Sequence, residues 1–144
     1  MTNTFLVAVD GSAGSLRAAE YAAGSAKASK AKLILAYVIE WSPYSFHTPE
    51  ELAERHKRRE EEIERAQSTV LGPVLKSMKD MGVDAETIVK HGHPSESLID
   101  LAKDRNAAQV FIGRKGESRM ASLLFGSVAG SLVQTSPIPV TVVP

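Results

Sequence analysis

Short apolar runs alternate with helix-length amphipathic stretches along the whole chain, and that rhythm restricts the possible fold more than any other feature. Phe5 to Val9, Lys32 to Ile39, Val83 to Lys90, Ala108 to Ile112 and Val140 to Val143 read as strands. The third alternates weakly, and the others are the near-continuous apolar runs that a sheet covered on both faces requires. After the first run, Ser12 is a candidate N-cap, and Leu16, Ala19, Ala23 and Ala26 make a helical stripe reaching about Ser29. Thr48-Pro49-Glu50-Glu51 is a capping box opening a long helix to about Met81, with a stripe of Leu52, His56, Ile63, Ala66, Val70, Val74 and Met78. A kink or brief break is expected inside it at Gly72-Pro73, and Gly82 is placed to close it. Pro94 to Lys103 and Val128 to Thr135 supply the remaining helices.

Right-handed crossovers between parallel strands put helices against both faces of a sheet. The pattern therefore predicts an α/β fold: one domain over residues 1–144, doubly wound, with an open five-stranded parallel sheet, whose expected order is 3-2-1-4-5. In that order the topology switches between strands 1 and 4, and ligands bind there, outside the carboxyl ends of the strands. Asp10-Gly11-Ser12 follows strand 1 and Gly113 follows strand 4, so both are expected in the crevice.

From Gly113 the chain reads Gly113-Arg114-Lys115-Gly116, then nine residues, then Gly126-Ser127 ahead of the helix beginning near Val128. Glycines let backbone N–H groups approach an oxyanion, and the start of a helix adds unpaired N–H donors and the positive end of its dipole. Neither Gly-x-x-x-x-Gly-Lys-Ser/Thr nor Gly-x-Gly-x-x-Gly occurs, which disfavours a Walker loop and a dinucleotide fingerprint. Of the cations, Arg114 and Lys115 flank the first glycines and at least one is expected to face phosphate, with Arg119 a weaker candidate. Trp41 and Phe46, in the aromatic stretch after strand 2, are expected to cover a base edge or the core.

The spacing Gly-x2-Gly-x9-Gly-Ser resembles the ATP-binding signature of the universal stress protein family, with Gly113, Gly116, Gly126 and Ser127 in register. The likeness extends over the chain, through Asp10-Gly11-Ser12 with Ser15, Gly92-x-Pro94, and Pro137-x-Pro139 before Val140 to Val143. It implies ATP as the ligand, with Mg²⁺ or Mn²⁺. By the resemblance Asp10 lies beside ribose and phosphates or a bound cation, and the backbone at Val38 meets the adenine. Val9 belongs to the same binding set, and Gly113, Arg114, Gly116, Gly126, Ser127 and Val128 hold the triphosphate and ribose. The resemblance further implies a homodimer paired through Val140 to Val143, acting in stress response by nucleotide-dependent association with a target protein. Many ATP-binding relatives carry a second hydroxyl just after Gly-Ser; here Val128-Ala129 stand there and Ser131 is the next hydroxyl.

Other readings fare less well. Lys plus Arg and Asp plus Glu both number 17, so no net positive field exists to hold nucleic acid. No apolar run is long enough to span a bilayer and Met1-Thr2-Asn3-Thr4 lacks a basic leader, which makes the cytoplasm the expected location. With no cysteine, thiol and Cys-metal chemistry are excluded, and His91 with His93 falls short of a zinc ligand set. His91 ends strand 3 and has the phosphates as one candidate neighbour. A phospho-acceptor receiver domain would need Asp where His91 stands. The run Glu50 to Arg65 reads as a solvated helix face. Binding without fast turnover is the expectation, since Glu117 is the one acid near the glycine loop that could position a water. The alternatives are a slow ATPase or autophosphorylating enzyme using Ser118 or Ser122, and a structural dimer without nucleotide.

Overall fold

A computed structural model describes residues 2–40, 48–116 and 126–144. Strands β1 (Thr4–Ala8), β2 (Lys32–Glu40), β3 (Ala85–Gly92), β4 (Gln109–Gly113) and β5 (Val140–Val143) form one parallel sheet in the expected order, β3-β2-β1-β4-β5. Leu6 is in register with Ile34 on β2 and Val110 on β4, which places β1 at the centre. Successive side chains on a strand take opposite faces. Phe5, Val7, Leu33, Leu35 and Phe111 therefore build one core, and Leu6, Ala8, Ile34, Ala36, Val110 and Ile112 another.

Helix α1 (Ala13–Ser29) and helix α3 (Gly72–Asp80) cover the first face. Ala18, Ala19, Ala22, Ala23 and Ala26 are fully or almost fully buried, so small side chains let α1 lie close on the sheet. Helices α4 (Pro94–Asp104) and α5 (Ser127–Thr135) cover the second face through Leu98, Leu101, Ala102, Ala129 and Leu132.

Helix α2 (Pro49–Ala66) departs from its expected stripe. Its capping box forms, with Thr48 Oγ1 accepting from Glu51 N–H at 3.2 Å and Glu51 accepting from Thr48 N–H at 3.1 Å. Yet Leu52 is 52% exposed, and the His56 side chain is solvated and pairs with Glu60 one turn on. Burial in α2 is confined to Ala66, so its N-terminal turns overhang solvent. The break falls just before Gly72-Pro73, as a π-helical segment over Gln67–Leu71. Pro73 has no N–H to return to the preceding turn, and the wider helical register accommodates that missing bond. Leu71 at the end of the segment is fully buried and begins the stripe that does reach the core, with Val74 and Met78. Gly82, at φ +77°, ends α3 as expected. Strand β3 extends further than its alternation implied and includes His91 and Gly92, which pair with Ile39 and Glu40 on β2.

Candidate functional site

The β1 ladder runs one residue past the strand, Val9 N–H bonding Ala36 O at 2.8 Å, and the chain then turns at Asp10. Gly11, at φ +85°, supplies the left-handed conformation that the turn needs. Asp10 Oδ1 accepts from Ser12 N–H at 2.9 Å and from the Ser12 hydroxyl. Ser12 Oγ in turn accepts from Ser15 N–H at 3.1 Å and caps α1. The acid thus shapes its own turn, as an Asx residue does. Its other oxygen, Oδ2, lies where a Cβ on Gly116 would come within 2.4 Å, so the glycine loop packs directly on this carboxylate.

Strand β4 ends in the buried Gly113. A Cβ there would meet the Gly14 backbone at 2.8 Å, and a Cβ on Gly14 would meet Lys115 O at 2.6 Å. The first turn of α1 and the glycine loop are therefore in backbone contact. Arg114 N–H bonds Val143 O at 2.8 Å, and Arg114 O accepts from Gly126 N–H at 2.8 Å. That second bond closes the neck of the loop and brings Gly126-Ser127 alongside Gly113 and Gly116. Gly126, the N-cap of α5, has no side chain to cap it, so the amides of Ser127, Val128 and Ala129 have no partner in the preceding turn.

These pieces surround one cleft of about 260 Å³ at the carboxyl ends of β1, β2 and β4. Its polar end is Asp10, Ser12, Ser15, Lys115, Gly116 and Ser127. The apolar wall is Ala8, Ala36, Val38, Ile112, Leu98 and Val128. Val9, Gly113 and Gly126 also line it, so every expected binding residue except Arg114 borders the cleft. Arg114 is exposed and acts at the neck through its backbone, while Lys115 is the cation at the cleft wall. Trp41, Phe46, Glu117, Ser118, Arg119 and Ser122 lie outside the described residues.

Histidine placement corrects one expectation. His91 points away from the glycine loop, its Nε2 lying 2.9 Å from Glu62 Oε2 on α2. Exposed His93 precedes α4 and its Nδ1 lies 3.2 Å from the buried Ser95 hydroxyl, which also accepts from Ser131 at 3.1 Å. This tie between α4 and α5, beside the cleft, has no sequence signal beyond a serine in each helix. Gly14 was equally silent, because a glycine in a helical pattern does not show what approaches it. Among the described residues no three His, Cys, Asp or Glu side chains gather as a metal cage. Asp10 and Glu40 are the carboxylates among the described residues of the cleft lining, and a cation of the Mg²⁺ type takes one or two protein carboxylates and completes its shell with phosphate and water.

The lining fits a phosphorylated ligand with an apolar part: glycines on which a Cβ would crowd backbone or the Asp10 carboxylate, open helix amides and a cation, together with an aliphatic wall. The model of the universal stress protein family matches residues 1–144. A universal stress protein of Thermus aquaticus is 30% identical over 145 residues, covering 99% of each chain. The solved universal stress protein of Lactobacillus plantarum has a TM-score of 0.83 at 23% identity, covering 99% of this chain and 97% of its own. A universal stress protein solved in complex with cAMP has a TM-score of 0.68 at 28% identity, covering 99% of this chain and 97% of its own.

Proposed function

The chain belongs to the universal stress protein family, and from that premise we propose that its cleft binds an adenine nucleotide, ATP foremost, with Mg²⁺ or Mn²⁺ at Asp10. The observation that carries the reading is the meeting of Asp10 and Gly116 at the mouth of α5, where a carboxylate, a Cβ-free loop and open amides share one cleft. Ser127, Val128 and the backbone of Gly113 and Gly116 take the phosphates, Lys115 adds charge, and Val9 and Val38 line the nucleoside side. A related chain in complex with cAMP supports the adenine class.

The unit that acts is a homodimer joined through β5. Bonds from Val110 N–H to Pro139 O and from Arg114 N–H to Val143 O turn alternate residues of β5 inward, which leaves the backbone of Val140 and Val142 at the open edge. An apolar edge strand of this kind pairs readily with another. Nucleotide occupancy changes how the dimer associates with a target protein in the cytoplasm during stress. Turnover is slow or absent: hydrolysis needs a group to position water beside the phosphates, and of the described cleft carboxylates Asp10 is engaged by Ser12 while Glu40 stands on β2, two strands from the glycine loop's strand.

Calorimetric titration with ATP, ADP, AMP and cAMP, alongside an assay for ADP release, tests this reading. Saturable binding of an adenine nucleotide without sustained ADP release is expected. Absence of binding by all four would refute it, and ADP release over many turnovers would favour the slow ATPase.

A further inference from the structure

The cleft carries a second carboxylate. Side chains alternate along β2, and Ala36, Val38 and Glu40 form the row that faces the cleft. Glu40 is in register with Gly92 on β3, which has no side chain to cover it. Among the described residues Glu40 is exposed and has no hydrogen-bond or ion-pair partner. Asp10 is differently placed: one oxygen is engaged by Ser12 and the other lies against Gly116. Asp10 follows β1 and lies against the glycine loop, while Glu40 stands on β2, separated by β1 from the strand that carries that loop. Adjacent strands are about 4.8 Å apart, so the β2 row is roughly 10 Å from the end of β4, where the glycine loop begins.

That separation sets the polarity of a bound nucleotide. A carboxylate repels phosphate, so the end of the ligand near Glu40 is the nucleoside. An ionised carboxylate only accepts hydrogen bonds, and the sugar hydroxyls of a ribonucleotide are donors. In dinucleotide-binding α/β sheets an acid some way beyond the first turn takes the ribose 2′-OH, and a 2′-phosphate is accepted only where a cation accompanies it.

We infer that Glu40 is a specificity-determining residue that accepts hydrogen bonds from the ribose diol, so that the cleft prefers ribonucleotides to 2′-deoxyribonucleotides and rejects a 2′-phosphate. The inference rests on the nucleotide reading above. ATP and 2′-deoxy-ATP titrated into the wild type, Glu40→Ala and Glu40→Gln test it, with circular dichroism confirming that each variant folds. Wild type is expected to favour ATP by roughly tenfold, the scale of one hydrogen bond to a charged group. Glu40→Ala abolishes the preference by weakening ATP alone, and Glu40→Gln, which keeps one acceptor oxygen, falls between. Equal affinities in wild type, or an undiminished preference in Glu40→Ala, overturn the inference and leave nucleotide binding standing. No binding of either compound to wild type overturns both.

Discussion

Gly113 and Gly116 sit three residues apart and are glycine for different reasons. A methyl on Gly113 would meet the backbone of α1 at Gly14, which cannot move without dragging the helix. Gly113→Ala is therefore expected to destabilise the protein by about 1 to 3 kcal/mol in urea unfolding, as overpacking does. A methyl on Gly116 would meet only the end of the Asp10 side chain. Gly116→Ala should leave stability within roughly 1 kcal/mol of wild type and displace the carboxylate, weakening ATP by about tenfold or more in the same titration. The contrast checks whether loop and acid form one site. Gly113, Gly116 and Gly126 were legible because their spacing is a pattern. Gly14 was not, since its reason lies in a contact across the fold. Asp10 was legible as a residue of the cleft, while its part in shaping the turn emerges from its hydrogen bonds to Ser12.

At the level of elements, apolar runs located the strands because burial on both faces leaves little room for polar residues. They were less informative where a strand is at an edge: β3 alternates and is half-buried, and its end could be placed only by its pairing with β2. The α2 stripe misled for a related reason. Periodicity shows that a helix has an apolar side, but not that anything lies opposite it, and Leu52 has solvent there. This gives α2 a testable property. Removing the cap with Thr48→Ala costs about 1 kcal/mol of helix stability, and because the first turns bury nothing the loss should stay local. Amide exchange at Leu52 and its neighbours is expected to quicken by roughly fivefold, while the global unfolding midpoint moves little. A large drop in that midpoint would mean that α2 is held by contacts beyond its last turn.

On the scale of the molecule, the sheet has two unequal edges. β3 presents Glu86, Lys90 and the Glu62-linked His91, whereas β5 is Val140-Thr141-Val142-Val143. In the proposed dimer β5 is the pairing edge, since charges blunt the β3 edge. Val142→Pro removes an outward N–H without touching the bonds to β4, and it is expected to convert dimer to monomer in sedimentation equilibrium with the fold retained. An unchanged mass would exclude pairing through β5. The parallel sheet covered on both faces followed from the alternation of elements, and the side of the cleft from Asp10 and Gly113 each standing just after a strand. What occupies the cleft is the remaining question, and it is answered most directly by amide chemical shifts recorded as ATP is added. The changes are predicted to concentrate at Val9, Asp10, Val38, Gly113, Gly116, Ser127 and Val128. Changes confined to the opposite end of the sheet, where Lys32, Asp84, Glu86 and Arg105 line another groove, or no changes at all, would contradict the account.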